Sequence, residues 1–157
     1  MWATLTEQSR ARWVFNLEQD FTINRPLDLG ALAAVMGRRR YLLQLALRRQ
    51  PWNQAERAAG GVVEQWPHEY ADRSDKAGHH WLEHRLFFTT NPCLYRRDLC
   101  AMGWPVVPNS EGEYGQYLTR EGAFGLPAET VRFGFWGPRD STPWVEHIGT
   151  ERTGMGY

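Results

Sequence analysis

Ten of the 15 glycines and five of the nine prolines fall at or beyond Gly103, interspersed with Trp104, Tyr114, Tyr117, Phe124, Phe133, Phe135, Trp136 and Trp144. Glycine loses the most backbone entropy on ordering and proline lacks a donor, so neither sustains a helix or a central strand. That punctuation predicts turns and extended chain over most of residues 103–157. One short strand is expected at 130–136, where Val131, Phe133 and Phe135 alternate with Arg132, Gly134 and Trp136. A segment this aromatic lacks the low hydrophobicity of disordered chain, so it needs a surface to lie on.

The first two thirds carry helical spacing instead. Trp13, Leu17 and Phe21 recur every four residues, predicting a helix over 3–21 capped by Thr4 or Thr6. After Asn24-Arg25-Pro26, a wide apolar face of Leu29, Leu32, Val35, Met36, Leu43 and Leu47 predicts a second helix over 27–49, with Asp28 near its N-cap. Pro51 suits the first turn of a third helix ending at Ala59, with Gly60-Gly61 as the stop. A fourth is expected from Ser74 or Asp75 to Phe88, before Asn91-Pro92. The fold expected is therefore mainly α. A small helical docking domain of about four helices (1–102) would be followed by an irregular, aromatic, Gly/Pro-rich tail (103–157) lying on partner subunits, with at most one or two short strands.

At 157 residues the chain is long enough to bury a core. Its 18 basic and 18 acidic residues cancel, which argues against a protein that mainly coats nucleic acid. Arg38, Arg39 and Arg40 interrupt the longest apolar stretch, so no transmembrane segment is expected. Glu7, Glu18 and Asp20 interleave with Arg10 and Arg12, which makes the amino terminus a poor secretory signal or presequence. Cys93 and Cys100 fit neither a zinc knuckle nor a disulfide framework and read as reduced thiols.

His80-Trp81-Leu82-Glu83-His84 satisfies the H-x-x-E-H pattern, which on a helix places two imidazoles one turn apart with a glutamate beside them. The surrounding residues, Ala77 to Thr90, resemble the active-site helix of the insulysin and mitochondrial processing peptidase family. The resemblance implies zinc on His80 and His84, with Glu83 as general base. It covers 14 of 157 residues, and the third carboxylate ligand of that family has only Glu146 and Glu151 as downstream counterparts. Leu94-Tyr95-Arg96 spells the tripeptide that names the LYR family of small helical mitochondrial accessory proteins. In that family it opens a long amino-terminal helix, and the family's function is not carried over to this mid-chain position.

Arg38-Arg39-Arg40, with Arg48 and Arg49 further along, marks a positive helix end suited to anionic lipid headgroups or RNA phosphates. Only Tyr41 is interleaved for stacking on bases. The plain alternative is a solvated helix whose dipole favours cations at its C-terminal half. Seventeen of the 18 basic residues are Arg, the residue suited to interface contacts. The leading expectation is a non-catalytic accessory subunit of a larger assembly, first of all a mitochondrial membrane complex. Other protein subunits would be its partners, Trp104, Trp136 and Trp144 its anchors, and Arg38, Arg39 and Arg40 its polar or lipid contacts. The alternatives are a zinc hydrolase using His80, His84 and Glu83, and a small nucleic-acid-binding module.

Overall fold

The computed structural model describes residues 7–149. The start of the expected first helix at 3–6, Glu151 and the terminus through Tyr157 lie outside the described residues. In chain order the strands are β1 (Trp13–Asn16), β2 (Phe21–Ile23), β3 (Leu42–Ala46), β4 (Ala71–Ser74), β5 (His80–His84), β6 (Cys93–Arg96), β7 (Arg132–Trp136) and β8 (Val145–His147). The helices are α1 (Leu29–Arg38), α2 (Gln54–Ala59), α3 (Val62–Gln65), α4 (Asp98–Ala101) and α5 (Ser110–Glu121).

Six strands form one mixed sheet in the order β1-β6-β3-β7-β5-β4, and β2 pairs with β8 in a separate antiparallel ribbon. Only the β3–β7 pair at the centre is parallel, matching Leu45 with Gly134 and Ala46 with Phe135. The fold is therefore mixed α/β, and the expectation of a mainly helical protein is corrected. Nor is the last third an irregular extension. It supplies α5, β7 and β8, and β7 lies hydrogen-bonded between β3 and β5. A boundary at residue 102 would cut the sheet through its middle.

Each misread helix has a local cause. Residues 41–48 contain good helix formers, but every residue of β3 is buried, which is how a central strand covered on both faces reads. The helix there is only α1: Asp28 caps it by accepting from Ala31 N at 3.1 Å, and Leu32, Val35 and Met36 form its buried face. The four-residue spacing at 13–21 is incidental, since β1 pairs with β6 and Leu17 is 48% exposed. The expected helix at 74–88 is instead the β4–β5 hairpin, which turns at Asp75 to Gly78. Asp75 Oδ1 accepts from Ala77 N and His79 N, and Gly78 supplies φ +82°, a backbone conformation that favours glycine. The strand expected at 130–136 corresponds to β7, and the third helix to α2. Asn53 caps α2 by accepting from Glu56 N, and Gly60 ends it at φ +98°.

Two apolar layers sandwich the sheet. On one face Leu42, Leu45, Trp81, Leu94 and Trp136 meet Leu32, Val35 and Met36 of α1. On the other, Leu43, Leu82, Tyr95, Phe133 and Phe135 meet Leu99, Tyr114 and Leu118 of α4 and α5. Gly134 interrupts the bulky run of β7 because a Cβ there would stand 3.0 Å from both Leu45 Cδ2 and Leu82 O. Gly115 does the same for α5, since a Cβ would reach 2.5 Å from Phe88 N and 3.2 Å from Phe87 C.

Gly115→Ala sets helix propensity against packing. Alanine gains about 1 kcal/mol as a helix former, whereas the backbone of 87–88 cannot yield cheaply and overpacking costs about 1–3 kcal/mol. The expected outcome in urea denaturation is a lower midpoint for Gly115→Ala despite the better helix former.

Candidate functional site

Where α1 ends and the β4–β5 hairpin turns, a cleft of about 780 Å³ opens between Arg38 and Arg39 on one side and Ser74, Asp75, Lys76 and Ala77 on the other. Helix α1 stops at Arg38, and the bond from Arg38 to Asp75 sets the end of the helix beside the hairpin turn, which delivers Ser74 to Ala77 to the other wall. Beneath lies Glu83, only 4% exposed. Its Oε1 accepts from Tyr41 OH at 3.0 Å and Trp81 Nε1 at 2.9 Å, and its Oε2 accepts from Arg73 Nε at 3.0 Å. Burial, then the Glu83 charge, raises the Tyr41 phenol pKa above its ordinary value, so this ring stays a neutral donor.

Strand alternation explains how Arg73 arrives there. Arg73 pairs with Trp81 across the hairpin, so both project to the α1 face, as does Glu83 two residues on. The Arg39 guanidinium lies 4.2 Å from the centroid of the Trp81 ring and donates to Val35 O, which fixes it over the cleft. Arg38 Nη2 donates to Asp75 Oδ2 at 2.8 Å, and the His79 ring meets the same oxygen at 3.1 Å. Burial opposes the charge on Asp75. Hydrogen bonds from His79, Arg38 and Ala77 outweigh it and hold the carboxyl well below the usual carboxylate range. Arg38, Arg39 and Lys76 against Asp75 leave the cleft lining net positive by two.

The expected cluster of five arginines divides. Arg38, Arg39 and the exposed Arg40 stay together at the start of β3, whereas Arg48 and Arg49 follow its far end. Five strand residues separate them by roughly 17 Å, where a helix would have spanned about half of that. Arg48 is 6% exposed and donates to the carbonyls of Pro138, Arg139 and Ser141. Its burial lowers the guanidinium pKa, with Glu64 opposing that at 3.9 Å. Arg49 forms a two-pronged pair with Glu56 at 2.7 and 3.1 Å. Both are bound within the fold.

The H-x-x-E-H residues lie on β5 and not on a helix. His80 and His84 share a strand face but sit roughly 13 Å apart at four strand residues, while Glu83 projects from the opposite face into its bonds with Trp81, Tyr41 and Arg73. One metal ion cannot span that gap, and the zinc geometry implied by the resemblance is not formed. Among the described residues no group of three or more His, Cys, Asp or Glu side chains is placed to hold a metal ion. His84 is buried among Tyr70, Phe87, Phe133 and Phe135, with its Nδ1 accepting from Leu86 N. Desolvation pushes its pKa down to about 3.

The tryptophans expected as anchors also serve the interior. Trp136 is 8% exposed and packs in the α1-side core. Trp104 packs on Phe88 and Tyr114 at centroid distances of 6.1 and 5.3 Å. Trp144 lies under the Arg25 guanidinium at 3.9 Å. Leu94-Tyr95-Arg96 forms most of β6, between β1 and β3. Cys93 and Cys100 are both free and buried, and burial raises both thiol pKa values. Arg73, Asp75 and Lys76 are not among the site residues expected from sequence. Their one local signal is the Asp-Lys-Ala-Gly turn sequence at 75–78. Compared with protein-family models, curated proteins and solved structures, the chain matches none.

His84 links this geometry to pH. Its folded pKa of about 3 lies below the unfolded value of 6.5, so its contribution is complete above pH 6.5 and is lost as pH falls toward 3. Between pH 7 and 4.5 the loss is about 2–3 kcal/mol. His84→Gln, which keeps an acceptor for Leu86 N, is expected to flatten that limb when urea midpoints are compared at the two pH values.

Proposed function

We propose that the chain is a non-catalytic binding subunit of a multiprotein assembly and that it docks through the cationic cleft. The observation that carries this reading is a set of cations fixed before any partner arrives: Arg39 on Trp81, Arg38 on Asp75 and Arg73 on Glu83. Rigid cations lose little side-chain entropy on binding, and guanidinium groups in that state suit an interface. The interior charges Glu83, Glu56 and Arg48 are engaged in holding the fold. A second surface feature agrees with docking. Val106 is 98% and Val107 49% exposed in a loop bracketed by Pro105 and Pro108, and such paired apolar exposure is relieved by a partner. Among the described residues no helix is long and apolar enough to cross a membrane.

Native size tests this directly. The endogenous protein is expected to elute far above its 18.2 kDa with a stoichiometric partner, and Arg39→Glu/Lys76→Glu is expected to release it as a folded monomer. Elution of the wild-type protein as a monomer contradicts the reading.

A further inference from the structure

Resting on that reading, we infer that the cleft receives a carboxylate-rich segment of the partner protein. Of the cations lining it, Arg38 is held by Asp75, while Arg39 and Lys76 pair with no carboxylate among the described residues. Asp75 shows how the cleft handles a carboxylate: one oxygen takes two backbone N–H groups, and the other takes Arg38 and His79. An incoming Asp or Glu meets the same chemistry on the remaining donors of Arg39, in the flat fork that matches a carboxylate, with a second negative charge at Lys76.

The surroundings select this occupant over other anions. The exposed large apolar residues include Leu17, Ile23, Leu29, Trp66, Val106 and Ile148, and none lines the cleft, so no side chain there enters a bilayer. Trp81 is 1% exposed beneath Arg39 and offers no face to a nucleobase. The neutral chain also lacks the broad basic field that draws polyanions. Small size and two excess charges suit a short acidic peptide stretch.

The test is fluorescence anisotropy of a short, labelled Glu/Asp-rich peptide with the full chain at low and at physiological salt. Saturable binding is expected, weakening as salt rises. Lys76→Gln alone is expected to weaken it, and Arg39→Gln/Lys76→Gln to weaken it about tenfold, with unchanged circular dichroism. Lys76 is exposed, so its single variant keeps the test independent of folding. Absence of peptide binding, or binding indifferent to both variants, overturns the assignment. Tighter binding to phosphatidylserine vesicles or to a single-stranded oligonucleotide than to the peptide overturns it as well. If the native assembly is intact but the peptide does not bind, the acidic-segment assignment fails while the subunit reading stands. A native monomer removes the subunit reading itself.

Discussion

The ladder that β7 makes on both its edges holds the architecture together. On one side it runs parallel to β3 and on the other antiparallel to β5, so within the hydrogen-bonded ladder it joins the half-sheet β1-β6-β3 to the hairpin β4-β5. Phe133 and Phe135 anchor one core layer from this strand and Trp136 the other. The position of the β4–β5 hairpin, and so of Arg73, Asp75 and Lys76, depends on a strand contributed from far along the chain. A parallel pair at such sequence separation closes a long loop before its contacts form, which makes this a topology of high contact order.

What the sequence disclosed follows from how local each signal is. The period-two pattern at 130–136 marks β7 because its two faces differ, Phe133 and Phe135 against Gly134 and Trp136. The cap of α1 and the stop of α2 are legible, Asp28 bonding a backbone N–H three residues on and Gly60 closing its helix, whereas the cap of α2 falls at Asn53, past the Pro51 expected in its first turn. β3 was not legible, because a strand buried on both faces has no alternation to show and its Leu, Gln and Ala residues all favour helix. The H-x-x-E-H spacing is ambiguous for a related reason: residues four apart share a face in a helix and in a strand alike, and only the rise per residue separates ligation from a gap of roughly 13 Å.

The candidate site was half visible. Arg38, Arg39 and Arg40 stand out as a charge run, and they do line or adjoin the cleft. The other wall comes from a hairpin over residues whose sequence predicts a helix, so its contribution cannot be assembled from spacing. The peptidase resemblance implies a general base at Glu83. In the structure its carboxylate orders Trp81, Tyr41 and Arg73 beneath the cleft, and Trp81 in turn carries Arg39. A buried carboxylate with three donors costs desolvation, which those bonds offset, and its removal would orphan the Trp81 donor.

Native-state amide hydrogen exchange tests most directly whether the chain folds as one sheet with β7 at its centre. The backbone amides of β3 and β7 are expected to exchange most slowly and with the same free energy, through global unfolding only, while those of the edge strands β1 and β4 exchange earlier. Fast exchange in β7 while β3 and β6 stay protected would contradict the account, because residues 132–136 would then behave as a tail resting on a sheet complete without them.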